Sequence, residues 1–204
     1  MHVDPPYKSV RAAHGFSIIE LLFVVGITAI IAAMAVPMTK NTLGDFRLRG
    51  DARGLTNAVS LAKLRAASDF SQARLYADLD AKSFRVQTWQ RTGTPAWVTE
   101  GGITALSTND NFGFGSVSAP PSNTQGAIHQ SPLCRDAAGN TIGNTACVLF
   151  NSRGIPVDST GAPTGDGGLY IQDASAVYGV TVSATGLIKL WRTNLAATPG
   201  WVLQ

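Results

Sequence analysis

Gly15-Phe16-Ser17-Ile18-Ile19-Glu20-Leu21-Leu22-Phe23-Val24-Val25 opens an apolar run that continues to Met38, interrupted only by Gly26, Thr28 and Pro37. About 20 apolar residues suffice to cross a bilayer as a helix. Glu20 is the one charged residue in that run. A carboxylate in such a span costs about 2.5–3.5 kcal/mol near the bilayer centre and less near its edge. A simple anchor has no reason to carry it, so the carboxylate implies a partner that neutralises it. Upstream lie Lys8, Arg11 and His14, then Gly15. A secretory signal peptide would place a small-x-small cleavage site after the apolar segment. Ala33-Met34-Ala35 is only a weak site of that kind. The sharper boundary, Gly15-Phe16, comes before the segment.

A basic leader ending in Gly, then Phe-Ser-x-x-Glu and a long apolar helix, resembles the type IV prepilin family, which includes the pseudopilins of type II secretion. The residues that carry the resemblance are Gly15, Phe16, Ser17, Ile18, Ile19 and Glu20. It implies cleavage between Gly15 and Phe16 by a prepilin peptidase and methylation of the new Phe16 amine. It implies that Glu20 pairs with the N-terminal amine of a neighbouring subunit during filament growth. The implied partners are other pilin or pseudopilin subunits, the peptidase, an inner-membrane assembly platform and membrane lipid. The implied location is the bacterial inner membrane, as a single-pass protein with a periplasmic globular domain, and then a pilus or pseudopilus filament.

The chain has 204 residues and a formal net charge of +3. Nucleic-acid binding usually shows a clustered basic face, which so small a charge does not indicate. Beyond an anchor and its helical continuation, roughly 150 residues remain, enough for one compact domain. With 21 glycines and only 14% charged residues, that domain suits short strands and turns better than a helical bundle. If the basic leader stays inside, everything after Met38 lies outside the cytoplasm. Disulfides persist there, so Cys134 and Cys147 are predicted to pair. Such a bond closes a loop of about 14 residues, worth roughly 3 kcal/mol. Zinc needs more ligands, with His129 the only histidine nearby, and a redox pair usually has Cys-x-x-Cys spacing.

Four segments follow: a leader over 1–15, a transmembrane and filament-core helix over 16–38, its amphipathic continuation over 39–69, and a β-rich domain over 70–204. In the continuation, Leu48, Ala52, Leu55, Val59, Ala62 and Ala66 draw one apolar stripe at helical spacing, with Arg47, Arg49, Arg53 and Lys63 mostly off it. Pro37 is expected to kink the helix, because it removes a hydrogen bond and clashes one turn back. Past Ala73 the period becomes two, and residues 73–79 and 84–89 read as a hairpin. Trp97-Val98 belongs to a further strand. Residues 107–146, rich in Ser, Asn, Gly and Pro, read as a long loop or insertion with short strands, pinned by the disulfide. Strands are expected over 146–151, 168–173, 177–184 and 187–192, the last two joined at Thr185-Gly186. The predicted fold is α+β: a long N-terminal helix, transmembrane then amphipathic, packed on an antiparallel β-sheet domain. Asn151-Ser152-Arg153-Gly154 after a strand, and a late hairpin with Gly186, Lys189 and Arg192, also resemble the GspH/FimT minor-pilin subgroup.

Catalytic chemistry finds little support. A Ser–His–Asp triad would rest on His129, with no nucleophile elbow. Gly165-Asp166-Gly167-Gly168 precedes no helix and is not a phosphate loop. Asp158 and Asp166 flank a glycine-rich turn without calcium-loop spacing, which favours solvated loop acids over a metal. No enzyme activity, cofactor or metal is expected. The alternative function is DNA uptake by a DNA-binding minor pilin, with Arg153, Lys189 and Arg192 as binding residues and Trp191 and Trp201 as stacking platforms. Against it, the C-terminal decapeptide has no basic residue.

Overall fold

The computed structural model describes residues 16–204, except for the side chains of residues 35–42. Helix α1 runs Ile18–Ser68. Two compact units divide the chain at Thr42/Leu43, so α1 contributes to both. In the first unit, the described apolar side chains are exposed all round the helix. Among the described residues no helix is long and apolar enough to cross a membrane. The expected span over 16–38 ends within residues 35–42, whose side chains lie outside the description, as does the kink expected at Pro37.

In the second unit, all six stripe residues, Leu48, Ala52, Leu55, Val59, Ala62 and Ala66, are fully buried. Their 3- and 4-residue spacing puts them on one face, and that face is the floor of the core. Ten strands follow: β1 Ala73–Asp78, β2 Ser83–Gln90, β3 Ala96–Ala105, β4 Asn111–Phe112, β5 Thr145–Phe150, β6 Pro156–Val157, β7 Gly167–Gln172, β8 Ala176–Val182, β9 Ile188–Asn194 and β10 Val202–Leu203. They form two five-stranded sheets, β3-β2-β1-β5-β6 and β10-β9-β8-β7-β4, paired antiparallel throughout. The expected α+β plan is present, but two sheets stand where one was expected. Leu75, Ala77, Phe84, Val86, Val148 and Phe150 from the first sheet and Leu169, Ile171, Val180 and Val182 from the second join the helix stripe in one cluster.

The segment over 107–146, expected as a loop or insertion with short strands, carries the short strand β4 and coats the second sheet. Phe114, Val117 and Ile128 pack with Tyr170, Val177 and Trp201 on the second sheet. Pro132 is tied to β5 by the amide of Cys147, which donates to the Pro132 carbonyl at 2.8 Å. Strands β1, β7 and β8 are therefore buried on both faces. Arg74 and Tyr76, on the face of β1 opposite Leu75 and Ala77, are only 4% and 6% exposed.

Candidate functional site

The N-terminal motif occupies the start of α1. Phe16, 82% exposed, lies just ahead of the helix, and Glu20 sits exposed in its first turn. A carboxylate there meets the unpaired amides and positive end of the helix, a favourable place for it. Gly15 lies outside the described residues. From Ile18 to Met34 the helix presents Ile, Leu, Phe and Val at more than half exposure. Its one hydroxyl, Thr28, turns inward on the helix and donates to the carbonyls of Val24 at 2.9 Å and Val25 at 3.0 Å. That conceals its polarity from whatever surrounds the helix.

The two short elements noted around Gly154 and Gly186 converge on α1. The Lys63 ammonium donates to the Gly186 carbonyl at 2.9 Å. Gly154 packs on the Lys63 stem, and a Cβ on Gly186 would come within 2.9 Å of the Gly154 carbonyl oxygen. Both glycines adopt left-handed backbone, with φ of 71° and 80°, which side chains other than glycine enter at a cost. The turn after β5, the β8–β9 turn and the helix thus interlock. Lys63 carries this junction, although its place off the apolar stripe gave no hint of a buried contact.

The DNA candidates are not brought together. Arg153 is exposed in the turn beside that junction. Lys189 and Arg192, three residues apart on β9, project to opposite faces of the sheet. Lys189 stays exposed, 5.7 Å from the centre of the Trp191 ring. Arg192 lies across from Tyr178 on the core side and pairs with Asp45 at 3.7 Å. Trp191 donates to the Thr181 hydroxyl at 2.9 Å, and Trp201 to the Ala119 carbonyl at 2.9 Å while packing on Tyr170. The two indoles are committed to cross-strand and core contacts.

Cys134 and Cys147 are joined, with Cα atoms 5.0 Å apart. The bond pins residues 132–142 to β5. His129 Nε2 lies 3.1 Å from Asp166, and its Nδ1 lies 2.8 Å from the Gln130 carbonyl. Neither ring nitrogen has a hydroxyl partner among the described hydrogen bonds, so no triad is assembled there. Asp158 accepts from the Thr160 and Ala162 amides and caps its own turn. Among the described residues no cluster of three metal-ligating side chains forms.

A site the motifs did not signal lies where α1 meets the segment after β3. Asp51 accepts from the Ser107 amide at 2.6 Å and hydroxyl at 3.2 Å. Beside it Asp110 is 2% exposed, with one carboxyl oxygen lacking any partner. Burial first, then a hydrogen bond shared with Asp51 and the nearby charges of Asp51 and Asp173, push Asp110 up to about 7, while Arg47 opposes them. Through Ser107, Asp51 holds this segment to the helix, with Asp110 buried beside it.

No protein-family model matches the chain, and no curated protein matches it. Two solved structures of the minor pseudopilin EpsH from the type II secretion system of Vibrio cholerae are similar to it at 12% identity, with TM-scores of 0.42 and 0.43. The matches cover 76% of this chain and 95% and 97% of the EpsH chains.

Proposed function

We propose that this chain is a minor pilin or pseudopilin, a structural subunit of a type IV pilus or type II secretion pseudopilus. The observation that supports the reading is the start of α1: from Ile18 to Met34 it is apolar and exposed all round, with Glu20 as the one charge of that stretch and the Gly15-Phe16 boundary just before it. Such a helix needs an apolar surround, first lipid and then a bundle of like helices. Moving between the two loses little hydrophobic free energy, since both exclude water. Sequence recognition must then come from the polar group, and Glu20 supplies it by a charge-assisted hydrogen bond to the Phe16 amine of an adjacent subunit. In this reading the chain crosses the inner membrane once through residues 16–38, and Pro37 adjusts the helix where it leaves the apolar surround. The domain from Leu43 onward is periplasmic. Its disulfide, its two-sheet core and the Lys63 junction make it a rigid body that selects neighbours by shape.

Processing tests the reading. Intact-mass analysis of protein isolated from cells with an active prepilin peptidase should show a chain that begins at N-methylated Phe16. A terminus near Ala35, or an uncut leader, would contradict it.

A further inference from the structure

A cavity of about 540 Å³ opens on the face of the first sheet that points away from α1. Arg74, Trp89, Trp97 and Leu149 contribute to its floor, the 132–139 segment forms one wall, and the 156–167 turn forms another. The volume falls within the range of small-molecule sites. Arg74 is 4% exposed. Its Nε donates to Gln87 at 2.9 Å, one terminal nitrogen donates to the Arg135 carbonyl at 2.5 Å, and its guanidinium lies 3.9 Å from the centre of the Trp97 ring. These contacts hold the guanidinium in place but do not neutralise it.

No carboxylate lies within ion-pair distance of Arg74 among the described residues. Buried charges are ordinarily paired. Here three acids line the same cavity and each is committed elsewhere: Asp136 to Asn140, Asp158 to the Thr160 and Ala162 amides, Asp166 to His129. A second arginine adds to the imbalance. Arg85 stacks 4.2 Å from the centre of the Tyr76 ring, on which Arg74 also bears, and its Nε is buried without a partner. Burial, with Arg85 contributing, lowers Arg74 to about 10, still charged at neutral pH.

We propose that this cavity binds a singly charged carboxylate attached to a flat or branched apolar group. Arg74 receives the carboxylate through the donors not already committed to Gln87 and Arg135, since a planar guanidinium matches a carboxylate. Trp89 and Trp97, an edge-to-face pair 5.1 Å apart, receive the apolar group. The three acids that line the cavity repel polyanions far more than a single charge, which sets this ligand class apart from nucleic acid. Two sources have this chemistry, a free organic acid and the α-carboxyl end of a peptide with an apolar last residue.

The test is titration of the full-length chain in detergent micelles, read by tryptophan emission and by saturation-transfer NMR of the ligand. The probes are N-acetylphenylalanine, its uncharged amide, and an Ala-Ala-Ala-Phe peptide with a free carboxyl end. The acid should bind with a Kd of about 1 mM or tighter, and the amide at least about tenfold more weakly, since it lacks the ion pair. Binding of the tetrapeptide as well assigns the site to chain ends, and its failure beside a binding acid assigns it to free acids. Arg74→Gln should abolish the preference for acid over amide. Because Arg74 also supports Gln87 and Arg135, a second variant, Leu149→Trp, fills the floor and leaves Arg74 in place; it should weaken the acid by at least about tenfold. No binding of the acid, equal affinity for acid and amide in the wild type, or undiminished binding by a folded Leu149→Trp protein would overturn the proposal.

Discussion

Gly186→Ala tests the interlock of the two turns on α1. Two separate terms act. Alanine at φ of 80° is in left-handed backbone, costing roughly 1–2 kcal/mol. Its Cβ would also stand 2.9 Å from the Gly154 carbonyl oxygen, a backbone atom that cannot rotate away, and 3.3 Å from the Lys63 ammonium. Relieving that overlap means shifting one turn from the other and stretching the Lys63–Gly186 hydrogen bond, typically about 1–3 kcal/mol. The lower entropy of alanine in the unfolded chain returns about 0.4–1 kcal/mol. The expected net loss is therefore about 1–4.5 kcal/mol, centred near 3. Gly161→Ala is the control: φ is 87° and nothing lies within 4 Å of the added Cβ, so only the backbone term, about 1 kcal/mol after the entropy return, applies. Urea unfolding of both variants and wild type, followed by tryptophan emission, gives the two differences. If Gly186→Ala costs no more than Gly161→Ala, the close approach of the two turns is wrong.

Asp110 supplies a pH prediction. Its folded value, raised from 3.8 to about 7, makes the native state hold an extra proton between those limits. Stability should be greatest at the acid end of that window and fall as pH rises through about 7, by at most on the order of 4 kcal/mol. Asp110→Asn should flatten this slope, and an equal pH dependence of urea stability in wild type and variant would refute the raised Asp110. Replacing Cys134 and Cys147 together by serine should cost roughly 3 kcal/mol from loop closure. The same variant should make the amides of residues 132–142 exchange faster than those of β8, and equal exchange in oxidised and variant protein would show that the bond pins nothing.

The amphipathic half of α1 was legible because burial there follows a local period, and all six stripe residues prove buried. The hairpin of 73–79 and 84–89 was legible for the same reason, with Asp78 opposite Ser83 across a short turn. The division into two sheets was not. It depends on β1 pairing with β5, far along the chain, with Ala73 opposite Phe150, and no local pattern encodes that partner. The burial of Arg74 was not legible, because alternation reports that two faces differ, not that a distant segment covers the second. The basic candidates rest on charge and on the late-hairpin resemblance, neither of which reports a face, and strand parity sends Lys189 and Arg192 to opposite faces. Lys63 and Asp110 became visible only when their contacts from distant turns were in place.

The most direct test of the assembly reading is recovery of the chain in sheared filaments, comparing wild type with Glu20→Ala in cells that hold the other subunits. Removing the carboxylate takes away a cost of membrane insertion and lies outside the compact unit that begins at Leu43. Membrane fractionation and leader cleavage should therefore persist. What is lost is the charge-assisted contact that sets register between subunits. The account predicts wild-type chains beginning at Phe16 in the filament fraction and a marked fall for Glu20→Ala. Equal recovery of the two proteins, or absence of the wild type from filaments, would contradict it.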